Sequence, residues 1–248
     1  MLDKKTEKEI EILREGGKLL GEILRKLSKK VIIGATGNEL NKLAEDLIYK
    51  TGGEPSFKNY QGFPNTLCVS VNQTVVHGIP NNTSFKEGDL VGLDIGMKYK
   101  GLYTDTAVTI PVGNINKEVK KLLEVTKKSL EIGISKVSSN NYIGDIGKAI
   151  EEYVKPFGYG IVRDLCGHGV GRKVHEDPAV LNYNTGEKGD KMFPGLVIAI
   201  EPMIIIGGGH KITIGNDNWS VNSKDNSLTA HFEHTIAVTK SGNIVITR

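Results

Sequence analysis

At 248 residues, with 38% hydrophobic and 25% charged content, the chain has the composition of a globular protein able to bury a sizeable core. Its net charge of +3 is too small over this length to point to nucleic acid or a membrane surface. Only two cysteines occur, Cys68 and Cys166, far apart and outside any CxxC pattern, which excludes a disulfide scaffold and fits a reducing compartment. With no apolar run of signal-peptide or membrane-spanning length, a cytoplasmic location is expected.

The first helix is expected from about Thr6 to Lys29, with Ile10, Leu13, Leu20, Ile23, Leu24 and Leu27 at helical spacing and Thr6-Glu-Lys-Glu9 as a capping box. A second capping box, Thr36-Gly-Asn-Glu39, starts a helix carrying Leu40, Leu43, Leu47 and Ile48, which Thr51-Gly-Gly-Glu-Pro55 ends. Thr66 to His77 reads as β, and Asn81-Asn-Thr as a turn. Val91 to Val108 then reads as a β-hairpin with a polar tip at Lys98 to Gly101.

Two acids, Asp94 and Asp105, fall inside the arms of that hairpin, and neither arm offers a Lys or Arg. A two-residue tip at Tyr99-Lys100 sets them directly opposite each other. A tip at Lys100-Gly101 makes them diagonal neighbours on one face, about 7–8 Å apart at the backbone. A three-residue tip sends them to opposite faces. Buried acids sharing a face must be protonated, paired or bound to a cation, and a metal is the sharper reading.

After Pro111 the pattern restarts. Asn116 to about Val137 is expected to be helical, with Val119, Leu122, Leu123, Leu130 and Ile134 inward, and Tyr142 to Val154 forms a helix ending before Pro156. Strands are expected at Val197–Ile200, Met203–Ile206, Thr229–Val238 and Asn243–Thr247. Helix, helix, strands thus occurs twice with no linker between. The expected fold class is α+β, one domain over 1–248 made of two similar halves around a mostly antiparallel sheet.

The second half adds three polar residues in unusual places. His168 lies between glycines in Cys166-Gly-His-Gly-Val-Gly171, Glu201 ends the apolar run Val197–Ile200, and Glu233 sits within His231–Val238. Each acid alone fits an edge-strand charge or an ion pair. Together, four carboxylates carry a formal −4 that matches two divalent ions, and oxygens with one imidazole suit Mn, Fe or Co at least as well as Zn. Two-metal sites activate a water and polarise a carbonyl, so metal-assisted hydrolysis of a peptide or a phosphate ester is the expected chemistry. His77, in Val75-Val-His-Gly-Ile-Pro80, and His175, seven residues after His168, are candidate donors to a substrate carbonyl and to a leaving nitrogen. His210, His231 and His234 have no such context and are read as structural or exposed.

At these residues the chain resembles the type I methionine aminopeptidases, the short bacterial form of the M24 metallopeptidases without an N-terminal zinc-binding extension. The motifs are Asn72-Gln-Thr-Val-Val-His-Gly-Ile-Pro80, Gly92-Leu-Asp-Ile-Gly96, Thr104-Asp-Thr106, Gly167-His-Gly-Val-Gly171, His175-Glu-Asp-Pro178, Ile200-Glu-Pro202 and Phe232-Glu-His-Thr235, in the family's order from end to end. The resemblance implies the pita-bread fold and removal of an initiator methionine preceding a small residue.

By the same resemblance, Asp94 chelates one ion, His168 and Glu201 the other, and Asp105 and Glu233 bridge both. The cofactors would be two divalent ions, Co, Mn, Fe or Zn. Glu201 would help move the proton, His175 stabilise the tetrahedral intermediate and His77 contact the substrate near the scissile nitrogen. Tyr60, Phe63, Cys68 and Trp219 would line an apolar methionine pocket, although core packing explains the three aromatics equally well. The implied partners are nascent polypeptide N-termini, with neither DNA nor membrane; a monomer is expected and ribosome docking is left open. Asp177 and His231 stand where the family more often has Glu and Gln, and Ile206-Gly-Gly-Gly-His-Lys211 is unusually glycine-rich.

Three rivals are weaker. Aminopeptidase P and prolidase resemble longer chains with an N-terminal domain, for which a first helix at about Thr6 leaves no room. Type II methionine aminopeptidases insert a helical subdomain between the two Glu ligands, which here are 32 positions apart. A binding module that has lost its metals is disfavoured because all five ligand positions hold competent side chains.

Overall fold

The computed structural model describes residues 2–248. Helices α1 (Glu7–Ser28) and α2 (Gly37–Lys50) begin on the two capping boxes. Glu9 N donates to Thr6 Oγ1 at 3.3 Å while Thr6 N donates to Glu9 Oε2 at 2.7 Å. Thr36 and Glu39 repeat the exchange at 3.3 and 2.9 Å, so at both helix starts the N–H groups of the threonine cap and of the glutamate three residues on are satisfied. Strands β1 (Glu54–Pro55), β2 (Leu67–Val71), β3 (Thr74–Val76), β4 (Leu90–Tyr99) and β5 (Leu102–Pro111) complete the first half.

The second half opens with α3 (Lys117–Ser135), capped by the Asn116 side chain, and α4 (Ile143–Val154). The short strands β6 (Gly160–Ile161), β7 (Gly167–Gly169) and β8 (Glu176–Val180) follow, then β9 (Val197–Ile200) and β10 (Met203–Ile205). The chain ends with β11 (Ile212–Ile214), β12 (Val221–Ser223), β13 (Thr229–His231), β14 (Glu233–Thr239) and β15 (Gly242–Val245).

Among the described residues nine strands form one antiparallel sheet in the order β1-β4-β5-β14-β9-β7-β8, with β2 also paired to β4 and β15 to β14. Two three-stranded sheets, β13-β10-β6 and β11-β12-β3, flank it. Each helix pair covers mainly its own half, with α1 also reaching Val197, Ala237 and Ile246 through Leu13. Leu20, Leu27, Leu40 and Ile48 pack on Leu67, Leu93 and Ile95, while Leu122, Leu130, Ile146 and Ile150 pack on Ile198 and Ile236. Each such buried side chain contributes about 1.5–3 kcal/mol. Because strand side chains alternate, sending Leu93 and Ile95 to the helices turns Asp94 and Gly96 to the other face.

Two expected strands are broken, each for a physical reason. The run 66–77 turns back at Asn72, at φ 56°, whose side chain accepts from Leu90 N and donates to Asp89, both at 2.9 Å. The run 229–238 changes sheets at Phe232: His231 pairs with Met203, whereas Glu233 pairs with Ala107 of the large sheet. Lys98, read as part of the tip, lies in β4, and its ammonium turns to Glu54 at 3.7 Å. The glycine-rich segment forms a turn over Ile206–Gly208, and Gly209 packs against Gly160. Among the described residues no helix is long and apolar enough to cross a membrane.

Candidate metal centre and substrate pocket

The hairpin tip is Lys100-Gly101, at φ 47° and 85°, the paired positive values of a type I′ turn. Of the three registers the sequence allows, this one sets Asp94 opposite Ala107 and Asp105 opposite Gly96, diagonal and on one face. The pairings extend outward into a cross-sheet row: Cys68 opposite Asp94, Asp94 opposite Ala107, and Ala107 opposite Glu233. A small alanine therefore separates two acids, leaving a gap into which Asp105, two positions back along β5, also points. Threonines stitch this seam between the halves. Thr106 Oγ1 donates to Glu233 O at 2.9 Å, and Asp105 N donates to Thr235 Oγ1 at 2.9 Å.

His168 and Glu201 close the gap from the second half. The flanking glycines let β7 pass between its neighbours, since a Cβ on Gly167 would lie 2.3 Å from Ala199 O and one on Gly169 2.1 Å from Asp177 O. His168 Nδ1 is 2.9 Å from Gly169 O, and because a carbonyl can only accept, that nitrogen carries the proton. The lone pair of a neutral His168 is then on Nε2, which faces Glu201 Oε1 at 3.6 Å. Ligand atoms of Asp105, His168 and Glu233 all lie within 4.8 Å of one another.

The electrostatics call for a cation. Asp94, Asp105 and Glu233 are all buried, and among the described residues neither Asp94 Oδ1 nor Asp105 Oδ1 has a hydrogen-bond partner. Burial first, then neighbouring acids, pushes the Asp105 and Glu233 carboxyls well above the usual range. Burial also raises Asp94, to about 6, against the pull of His231. Glu201 differs: burial lifts it, but His231, His168 and His77 outweigh that and hold it below the ordinary value. Orphaned, mutually repelling carboxylate oxygens around a free imidazole nitrogen form a donor set that fits divalent ions.

Beyond the acids lies a cleft with about 610 Å³ of empty space, lined by every residue the sequence reading assigned to the site. His175 hangs over it, with Tyr60 Oη 3.1 Å from its Nδ1 and its ring edge-on to His168 at 4.3 Å. Burial and the nearby His168 lower His175 to about 4, so it is neutral near pH 7. His77, at φ 59°, is likewise lowered by burial. Phe63 and Trp219 meet edge to face at 5.2 Å, and burial with the adjacent acids keeps the Cys68 thiol protonated. Asp217 Oδ1 accepts from Trp219 N and Ser220 N, so a tight turn holds the indole in place despite the glycine-rich segment upstream.

Three residues escaped the sequence reading. Phe57 and Gln61 also line the cleft; they carry no motif. His231, read as lacking context, is buried with Nε2 3.6 Å from Glu201 Oε2. Its position two before Glu233 was a usable signal. The strand break at Phe232, which turns it toward the site, was not visible.

Residues 11–240 match the model of metallopeptidase family M24. The chain belongs to that family. Within it, the chain is 43% identical over 247 residues to methionine aminopeptidase of Clostridium perfringens, covering 100% of this chain and 99% of that one. It is also 43% identical to methionine aminopeptidase 1 of Bacillus subtilis, over 98% of each. The crystal structure of methionine aminopeptidase from Rickettsia prowazekii superposes with a TM-score of 0.97 at 38% identity, each chain fully covered. Prolidase from Pyrococcus furiosus shares the fold, with a TM-score of 0.79 at 23% identity, but this M24 chain covers only 65% of it. The pita-bread architecture expected from the motifs is the one these structures share.

Proposed function

We propose that the chain is a methionyl aminopeptidase, a single catalytic domain over 1–248 that removes the initiator methionine from nascent chains whose second residue is small. The observation that carries this reading is the convergence of four acids, three imidazoles and an apolar aromatic wall on one cleft. Asp94 would hold one divalent ion, His168 and Glu201 a second, with Asp105 and Glu233 shared; Co, Mn, Fe and Zn all suit these donors. When bound, such a pair supplies an activated water and polarises the scissile carbonyl.

The chain's own residues do the rest. Tyr60, Phe63, Cys68 and Trp219 receive the methionine side chain, whose thioether packs on aromatic edges. His175, neutral and fixed by Tyr60, donates to the carbonyl oxygen as negative charge develops there. Glu201, held ionised by its imidazole neighbours, accepts a proton from the attacking water and returns it to the departing amine. His77 contacts the substrate beside the scissile nitrogen. Nascent N-termini as substrate imply a cytoplasmic location, and the chain is read as acting as a monomer. The test is hydrolysis of Met-Ala-Ser against X-Pro peptides after reloading the metal-free protein with Mn, Fe or Co. Cleavage of Met-Ala-Ser is expected; cleavage of X-Pro alone sinks the assignment.

A further inference from the structure

Resting on the metallopeptidase reading above, we propose that His231 is a positioning residue that holds the Glu201 carboxylate. His231 ends β13 directly across from Met203, two residues beyond Glu201. Its backbone is fixed on both sides by one hydroxyl, with His231 N donating to Thr109 Oγ1 and Thr109 Oγ1 donating to His231 O, both at 2.9 Å. The residue is buried, and its Nε2 has no hydrogen-bond partner among the described residues. The acidic oxygen it faces is Glu201 Oε2, at 3.6 Å, while His168 Nε2 faces Oε1 of the same carboxylate, also at 3.6 Å.

The Glu201 carboxylate is therefore bracketed by an imidazole on each oxygen. Only the His168 side opens to the cleft, since His231 is not among its lining residues. His231 bears on Glu201 at contact distance and on Asp94 through its charge. The buried ring nitrogen faces an ionised carboxylate oxygen, which can only accept, so Nε2 serves as the N–H donor to Glu201. The role needs an N–H donor rather than a charge, so an amide can fill it and an aliphatic chain cannot.

The test compares the full chain with His231→Gln and His231→Leu, each prepared metal-free. Manganese alone is titrated calorimetrically, and kcat and KM are measured on Met-Ala-Ser. His231→Gln is expected to stay within about threefold of the wild type in both, as donor replaces donor. His231→Leu is expected to bind manganese about 10–100-fold more weakly and to lose kcat with little change in KM. A Leu variant matching the wild type in both readouts would overturn the proposal in favour of packing. Equal losses in the Gln and Leu variants would overturn it in favour of a direct imidazole ligand. If melting curves show the Leu variant unfolded, His231→Met takes its place under the same criteria. A wild-type chain that neither binds manganese nor cleaves Met-Ala-Ser fails the metallopeptidase reading itself; an active wild type with an indifferent Leu variant fails only this inference.

Discussion

The first half of the molecule brings Asp94 and Asp105 to the cleft on one hairpin, closed by a two-residue turn. The second half brings His168, Glu201 and Glu233 on β7, just past β9, and on β14, with the whole of β8 and β10 to β13 between them in the chain. The helix pairs above them are alike, yet one half solves the placement problem locally and the other through long-range strand pairing. The acids also differ in their surroundings. Asp94 Oδ1 and Asp105 Oδ1 have no hydrogen-bond partner among the described residues, whereas Glu201 is surrounded by imidazoles.

Removing one acid from each half tests whether both are needed. Asp94→Asn and Glu233→Gln are each expected to abolish turnover of Met-Ala-Ser and lower the bound metal measured by elemental analysis. Wild-type activity in either would remove that half from the site. Because both acids are buried beside other acids, the metal-free variants should melt at higher temperature than the metal-free wild type at pH 7.5.

The next largest effect concerns a tie between the start of the chain and the second half. Lys5, its side chain 1% exposed, pairs with Glu176 and, at 3.2 Å, with Asp3. Glu176 Oε1 in turn accepts from Arg172 N and Lys173 N at 2.6 and 2.8 Å, ordering the loop that leads into His175. Lys5→Met leaves the Glu176 carboxylate unpaired, and urea denaturation should report a loss of about 3–5 kcal/mol. A loss under 1 kcal/mol would mean that water replaces the ammonium.

The local solution of the first half can be broken at its turn. Gly101→Val forces a β-branched residue to φ 85° and should cost about 1–3 kcal/mol in the same denaturation assay, with manganese binding weakened in parallel if the register slips. The smallest effect is the pH response. His175 and His234 fall from 6.5 to about 4 in the fold, burial being the main cause, so their contribution is complete above pH 6.5 and drains away as pH falls toward 4. Asp94 rises from 3.8 to about 6, so its contribution is complete below pH 3.8 and is lost as pH climbs through 6. Added manganese should therefore raise the melting temperature more at pH 7.5 than at pH 5. An equal rise at both would argue against carboxylate repulsion as the source.

Much of this molecule is decided by short stretches of chain. Thr6 with Glu9, and Thr36 with Glu39, specify helix starts through contacts three residues apart, and Leu13, Leu20 and Leu27 mark the buried stripe that follows. The hairpin acids were legible as a pair needing a cation because period-two alternation ties position to face. What no local rule reaches is which strands lie side by side. The row from Cys68 through Asp94 and Ala107 to Glu233, and the sheet change at Phe232 that aims His231 at Glu201, depend on pairings across many residues. β6, β7 and β12, at two to three residues each, are too short to show a period at all. They exist because neighbouring strands supply their hydrogen bonds, and only the assembled sheets provide those neighbours.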